Sequence, residues 1–167
     1  LTQPSVTTIA IDKLRPSPTH IQALRRERFD KKALDELAVS IAKVGLLQPI
    51  VATPFRKSPV LNVVPSDPTH IIVAGERRWL AAKSAGLTEV PVSVRELTDE
   101  EVLEVQLIEN LQREGLHELE EAEGYEELMK LKGINANAVA DMVGKSRSYV
   151  YARTKLLALC PEARKAF

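Results

Sequence analysis

The sequence predicts an α+β fold: a mixed α/β region at the N-terminus, followed by an all-α region that contains a helix-turn-helix. Three observations carry that prediction. Strand-like apolar runs alternate with helical patterns up to about residue 97. From Thr98 onward the apolar residues recur only at helical spacing. Ala140, Gly144 and Val150 then supply what two short, steeply crossing helices need: a small residue, a left-handed turn and a branched contact.

Taken in order, "TTIAIDKL" reads as a short strand and "RPSPTHIQALRRER" as a Pro-rich basic loop without a period. Asp30 is placed to cap a helix whose apolar positions are Leu34, Leu37, Ile41 and Val44, with Gly45 as its stop. "LLQPIVATP" and "HIIVAG" read as strands, and the intervening "FRKSPVLNVVPSDPT" has room for a further short one. A helix follows from Gly75 to Gly86, and "VPVSVREL" is the next strand. Thr98 and Glu101 form a capping box for the helix after it. In "DEEVLEVQLIENLQR" the pattern assigns Leu103, Leu107, Ile108 and Leu111 to the apolar stripe. Val102, Val105 or Gln106, and Glu109 fall along another side. "ELEEAEGYEELMKL" is expected to bury Ala122, Tyr125, Leu128 and Met129. The expected division is an α/β domain over residues 1–97, a connecting helix over 98–117 and a helical domain over 118–167.

Bulk properties narrow the function classes. The 167 residues are 44% apolar and 28% charged, an ordinary composition for a water-soluble chain long enough to bury a core. One cysteine, Cys160, excludes an internal disulfide framework, and no apolar run approaches the ~20 residues of a membrane span. The expectation is a cytoplasmic protein, and a start at Leu1 with an end at Phe167 suggests a piece of a longer one. His20, His70 and His117 lack metal-ligand spacing, so no structural zinc is expected. The net charge is zero but unevenly spread: residues 1–60 hold ten basic and five acidic residues, while residues 98–130 hold two basic and twelve acidic. Seven basic and two acidic residues follow residue 130. Basic ends are compatible with nucleic acid and equally with a solvated face.

Two stretches raise chemical questions. In "IIVAGERRWLAAKSAG" a strand stops at Gly75 and a helix restarts with Arg77 and Arg78 in its first turn, where a cation opposes the helix dipole at a cost of about 0.3–1 kcal/mol. A bound phosphate would reverse that sign, because the bare Gly75 backbone, the free N–H groups and the two guanidinium groups would all favour an anion. Surface pairing with Glu76 or another acid is the alternative. In "ENLQR", Glu109, Gln112 and Arg113 fall at i, i+3 and i+4, which reads either as a Glu–Arg pair or, with Asn110, as a carboxylate and an amide able to share a magnesium ion with phosphate oxygens.

The helix-turn-helix has a second helix starting near Ser146 or Arg147. It is expected to present Lys145, Ser146, Arg147, Ser148, Tyr151, Arg153 and Lys155 to phosphates and base edges in a major groove. An ordinary helical hairpin also favours Ala, Gly and Val at the three diagnostic positions.

"GLLQPIV" at 45–51, "GERRWLAA" at 75–82, "ENLQREGLHELEEAEGY" at 109–125 and the helix-turn-helix at 136–155 together resemble, in order and spacing, the ParB-type chromosome and plasmid partition proteins. The resemblance covers nearly the whole chain. It implies a ParB/sulfiredoxin-like α/β domain that binds CTP with Mg2+, and a helical domain that binds a palindromic, centromere-like site on double-stranded DNA. It further implies self-association of two N-terminal domains on CTP binding, closure into a clamp that slides on DNA, weak CTP hydrolysis, a ParA-type ATPase partner and a location on the nucleoid or a plasmid. Carried over by residue, Gly45, Leu46, Leu47, Gln48 and Pro49 would line the nucleoside pocket. Gly75, Glu76, Arg77 and Arg78 would hold the triphosphate. Glu109 and Asn110 would lie at the metal, Gln112 and Arg113 would complete the site, and Gln48 would orient the attacking water with Glu109 as the other catalytic residue.

Two departures stand out. Leu80 occupies a position where the family commonly has a third basic residue, and "HIQALRRER" from His20 replaces a frequent Gln-Pro-Arg. The family's C-terminal dimerisation domain has no counterpart up to Phe167. The competing readings are a transcriptional repressor with a nucleotide-independent oligomerisation domain and a small kinase or sulfiredoxin-like enzyme, the second disfavoured by the helix-turn-helix.

Overall fold

The computed structural model describes residues 5–17, 30–55, 69–113 and 115–159. The chain forms two compact units, Leu1–Leu103 and Glu104–Phe167.

The first unit is built on a five-stranded mixed sheet in the order β1-β5-β3-β4-β2. Its strands are β1 (Ser5–Ala10), β2 (Leu14–Pro16), β3 (Ile50–Pro54), β4 (His70–Ala74) and β5 (Glu89–Val94). β1 runs antiparallel to β5, with Ser5 opposite Val94 and Ala10 opposite Glu89. β5 is parallel to β3, β3 is antiparallel to β4 with a register shift between Val51 and Ala52, and β4 is parallel to β2. The single strand expected over "TTIAIDKL" is therefore two strands on opposite edges of the sheet. A 3-10 turn at Ile11–Lys13 breaks it, tied down by the Ile11 N–H to the Thr88 carbonyl (2.9 Å) and by the Trp79 indole N–H to the Ile11 carbonyl (3.2 Å). Arg15 and Pro16 lie in β2 rather than in a loop, and the edge position spares Pro16 the N–H that a central strand would need.

Helix α1 (Lys31–Val44) begins as expected, the Asp30 carboxylate accepting from the Lys32 N–H at 3.0 Å, and it stops at Gly45 with φ 76°. Helix α2 (Glu76–Ser84) follows β4 through Gly75. Leu14, Ile41, Ile50, Ala52, Ile72, Trp79, Ala81, Ala82, Val90 and Val92 form the core between sheet and helices. β3 starts only at Ile50, so Leu46–Pro49 is a connecting segment and not the start of the strand expected for "LLQPIVATP". The expected strand within "FRKSPVLNVVPSDPT" and most of the basic loop lie outside the described residues.

Helix α3 (Asp99–Leu111) opens with the predicted capping box. The Thr98 N–H donates to Glu101 Oε2 at 2.7 Å, and the Glu101 N–H donates to Thr98 Oγ1 at 3.3 Å. Its buried residues are Val102, Gln106, Leu107 and Leu111, whereas Leu103 and Ile108 are only half-buried. The face is rotated from the expected stripe because an amide, Gln106, takes a core position that a purely apolar pattern assigns to a hydrophobe.

In the second unit, α4 (Glu118–Lys132), α5 (Ala136–Val143) and α6 (Arg147–Lys155) follow, with a last 3-10 turn at Leu156–Ala158. α5 and α6 are the helix-turn-helix. Ala140 and Val150 are completely buried, and Gly144 takes the left-handed turn at φ 71°. Ala122, Tyr125 and Leu128 are buried on α4 as expected, but Met129 is half-buried and the remaining buried positions are Glu121 and Gly124.

Candidate functional site

The first unit holds the segment Gly45–Pro49 and Gly75–Arg78, and the second holds Glu109–Arg113 and the helix-turn-helix residues. In the first, the strand β4 delivers the chain to Gly75, whose φ of 97° is left-handed and open to glycine at little cost. Reversing there, the backbone enters α2 with Glu76, Arg77 and Arg78 in the first turn. Arg77 is exposed, while Arg78 turns back over Gly75. A Cβ at Gly75 would lie 3.1 Å from Arg78 Nη2, so the missing side chain makes room for the guanidinium.

Arg78 Nη1 donates to the carbonyls of Gln48 (3.0 Å) and Pro49 (2.7 Å). The segment Gly45–Pro49, Gly75 and Arg78 therefore meet in one place. The segment itself is split in exposure: Leu46 packs against the core, whereas Leu47 is 83% exposed and Gln48 is exposed. Glu76 is only 4% exposed, so its carboxylate is largely withdrawn from solvent. Leu80, standing where a third basic residue is common in the family, packs against the core.

Glu109 and Asn110 lie near the end of α3, in the second unit, and both are half-buried. The helix does not continue through Gln112 and Arg113. The Gln112 N–H still reaches the Ile108 carbonyl (3.0 Å), but the Arg113 N–H closes a tighter turn onto the Asn110 carbonyl (3.2 Å). The turn thus tightens at Arg113, whose side chain reaches Asn110 Oδ1 at 3.5 Å. Among the described residues, no group of three or more His, Cys, Asp or Glu side chains is arranged to hold a metal ion. The Glu109 carboxylate and Asn110 amide are hard oxygen donors of the type magnesium takes when phosphate and water supply the rest.

In the second unit, Ser146 caps α6: its Oγ accepts from the Tyr149 N–H at 3.2 Å and lies 3.2 Å from Ser148 Oγ. Its hydroxyl is thereby engaged by the helix end that presents the other residues. Asn137 of α5 with Arg147, Ser148, Tyr151, Ala152 and Lys155 of α6 lines one open groove. Tyr151 is 58% exposed, with Lys155 Nζ 4.9 Å from its ring centre. Arg147 makes only a loose, exposed pair with Asp141 at 3.6 Å, the kind that contributes little to stability. Lys145 lies over the Tyr149 ring at 5.5 Å.

Arg153 departs from its expected place on this surface. Its side chain points back to α4, with Nη1 2.6 Å from Glu118 Oε2 and Nε 3.0 Å from Glu121 Oε2. The reason is periodicity: Arg147 and Tyr151 are four residues apart on the open face, and Arg153, two residues further on at ~100° each, comes about 160° away from Tyr151 on the opposite side of the helix. Glu121, which the sequence reading left unmarked, is the centre of this contact. It also accepts from Tyr125 Oη (2.6 Å) and Tyr149 Oη (2.9 Å). The only sequence signal for it was an acid at i−4 from the apolar position Tyr125.

The family model described as "ParB N-terminal domain" matches residues 1–111 and that described as "ParB HTH domain" matches residues 114–167. The chain is 44% identical over 161 residues to the chromosome-partitioning protein Spo0J of Thermus thermophilus, covering 96% of this chain and 54% of that protein. To the stage 0 sporulation protein J of Bacillus subtilis it is 40% identical over 159 residues, covering 95% and 51%. The chain thus spans about half the length of these relatives. Among solved structures, it is similar to C-terminally truncated ParB of Caulobacter crescentus complexed to the centromeric parS site, at 40% identity, TM-score 0.76, and coverage of 95% of this chain and 75% of that one. The same protein complexed with CTP-γ-S matches at TM-score 0.53, with 96% and 83% covered.

Proposed function

We propose that this chain, which belongs to the ParB family of partition proteins, is a CTP-dependent, sequence-specific DNA-binding protein of chromosome or plasmid partition. The observation that carries the DNA half is the open groove of Arg147, Ser148, Tyr151 and Lys155 on α6, beside Asn137. Two cations, a hydroxyl and an exposed aromatic edge on a capped helix suit major-groove reading, with Lys145 available to a phosphate. A palindromic site follows if two copies bind, since dimeric readers mirror their symmetry in the DNA.

The nucleotide half is supported by the meeting of Gly45–Pro49 with Gly75 and Arg78. The two bonds to the Gln48 and Pro49 carbonyls fix the Arg78 guanidinium beside the Gly45–Pro49 segment, and a planar guanidinium is the group that matches a phosphate in bidentate fashion. Arg77, exposed one residue earlier, is a second cation for the triphosphate. Leu46, Leu47 and the backbone of Gly45–Pro49 would contact the nucleoside. Glu109 and Asn110 would hold Mg2+, which supplies charge neutralisation of the phosphates, and Gln112 and Arg113 would complete the set. Gln48, exposed on the segment that Arg78 fixes, is assigned to orienting water for slow CTP hydrolysis, with Glu109 as its catalytic companion, because phosphoryl transfer depends chiefly on positioning and electrostatics. Association of two N-terminal domains, clamp formation on DNA, a ParA-type partner and a cytoplasmic, nucleoid- or plasmid-bound location complete the reading. Among the described residues no helix is long and apolar enough to cross a membrane.

The test is a pair of titrations of the chain, with CTP, ATP, GTP and UTP in the presence and absence of Mg2+, and with a parS duplex against a scrambled one. Preferential CTP binding that strengthens with Mg2+, together with parS preference, is the expected result. Duplex preference without any CTP binding would replace it with the repressor reading.

A further inference from the structure

The contacts of Arg153 leave a question that the DNA groove does not answer: what a basic residue on the recognition helix does when it faces the protein. Five side chains, Glu118, Glu121, Tyr125, Tyr149 and Arg153, meet behind α6. Glu121 Oε1 accepts from Tyr125 Oη at 2.6 Å. Its Oε2 accepts from Tyr149 Oη at 2.9 Å and from Arg153 Nε at 3.0 Å. Arg153 Nη2 also donates to Tyr149 Oη at 3.3 Å, its guanidinium lies 5.0 Å from the Tyr149 ring centre, and its Nη1 meets Glu118 at 2.6 Å. Glu121 is 8% exposed in its side chain and Arg153 22%, so these are charge-assisted bonds largely shielded from water. The bonds from Tyr149 and Arg153 to Glu121, and from Arg153 to Glu118, join α6 to α4. Apolar contacts such as the buried Val150 and Ala140 hold the helices together but permit small slides and rotations; directional bonds from Tyr149 and Arg153 to one carboxylate fix the helix about its own axis.

We propose that Glu121, with Tyr149 and Arg153, is a positioning device for DNA reading: it sets the axial rotation of α6 and so decides where Arg147, Ser148, Tyr151 and Lys155 fall against base edges. Arg153 acts here as a clamp and makes no contact with the duplex. The inference rests on the DNA-binding reading given above. Its physical basis is the narrow window of a base-edge hydrogen bond, about 0.5 Å in length, which a few degrees of helix rotation exceed at the end of an arginine. Phosphate contacts tolerate such a shift far better, because a point charge beside a phosphate has no fixed direction. Loss of the device should therefore cost discrimination and leave sequence-independent binding in place.

The experiment compares wild type with Glu121→Gln, Tyr149→Phe and Arg153→Met, and with the Glu121→Gln/Arg153→Met pair. Affinity is measured for a duplex carrying the parS site of the Caulobacter crescentus complex, for its single-base-pair variants and for a scrambled duplex, over a range of salt. Circular dichroism melting of each variant establishes that it is folded, and Tyr149→Phe, which removes one hydroxyl and keeps the ring, carries the test if Glu121→Gln does not fold. The expected result is a roughly tenfold fall in the ratio of parS to scrambled affinity, spread over several base pairs. Scrambled-duplex affinity and salt slope should stay within about twofold of wild type, and the double variant should be no worse than the poorer single one.

If Arg153→Met instead lowers the salt slope by about one per protomer on both duplexes, Arg153 is a phosphate contact and the proposal fails. Loss of discrimination at one base pair in Arg153→Met alone would make it a base reader, which overturns the proposal equally. Lowered melting temperatures with an unchanged ratio would make the cluster purely structural. Were wild type itself to bind both duplexes alike, the DNA-binding reading would fall first and the positioning role with it, whereas a discriminating wild type with indifferent variants would remove the positioning role alone.

Discussion

Arg78 sits in the first turn of α2, where the dipole disfavours a cation by about 0.3–1 kcal/mol. Its two bonds to the Gln48 and Pro49 carbonyls are charge-assisted, each in a class contributing about 1.5–3 kcal/mol, so they outweigh the dipole. The sequence makes such an arginine look like an exposed phosphate contact that could be deleted without harm; the half-buried fork predicts otherwise. Arg78→Ala should lower the unfolding free energy by about 1–3 kcal/mol as well as abolish CTP binding, and Arg78→Lys, with a single-centred charge, should recover only part of each. Chemical denaturation beside a CTP titration checks both, and an unchanged midpoint for Arg78→Ala would show that the fork adds nothing to the fold. Gly75→Ala should act through the same place, because its φ of 97° and the guanidinium 3.1 Å from the added methyl both oppose it. Tyr125 offers a residue-scale test in the other unit. Burial, and after it the hydrogen bond to Glu121, push its phenol well above the ordinary range. A raised folded value means that its stabilising share is complete below the unfolded value near pH 10 and disappears as pH climbs through the folded one. Tyr125→Phe should therefore not reduce the phenolate absorbance that a native sample develops around pH 10.

At the scale of elements, the parts legible in the sequence were those fixed by local chemistry. Asp30 caps α1, Thr98 and Glu101 form the capping box of α3, and Ala140, Gly144 and Val150 mark the helix-turn-helix; each depends on residues within about six positions of one another. Thr98→Ala removes the acceptor for the Glu101 N–H and should cost about 1 kcal/mol, read as a lowered thermal midpoint. What was not legible depends on partners far along the chain. β1 and β2 look like one strand until the Ile11 backbone is seen held by Thr88 and Trp79, and only then does the chain cross from one sheet edge to the other. Gln106 enters the core of α3 against its polarity. Arg153 belongs to a helix that is basic on its surface, and nothing local says that Glu118 and Glu121, more than thirty residues earlier, turn it inward. The candidate sites followed the same division: the motifs located them, whereas the Arg78 fork onto Gln48 and Pro49 and the Glu121 cluster needed coordinates.

For the molecule as a whole, the functional question is whether the nucleotide and DNA halves communicate. The candidate phosphate residues belong to the unit Leu1–Leu103 and the recognition helix to Glu104–Phe167, while α3 begins at Asp99 in one and ends at Leu111 in the other, carrying Glu109 and Asn110. A ligand shifts a partner site only through contacts that differ between two states, and the resulting coupling must be reciprocal: the factor by which nucleotide changes DNA affinity equals that by which DNA changes nucleotide affinity. We expect a factor within the common range of about 5–150. Because hydrolysis would break the equilibrium on which reciprocity depends, the measurement uses CTP-γ-S with Mg2+, titrated with and without parS duplex, and the duplex titrated with and without nucleotide. Glu109→Ala should bring both factors toward one while parS affinity without nucleotide stays near that of wild type, since Glu109 lies outside the α6 groove. Equal affinities in all four titrations of the wild-type chain would reduce the protein to two independent binding units joined by a helix, and would remove Glu109 from any coupling role.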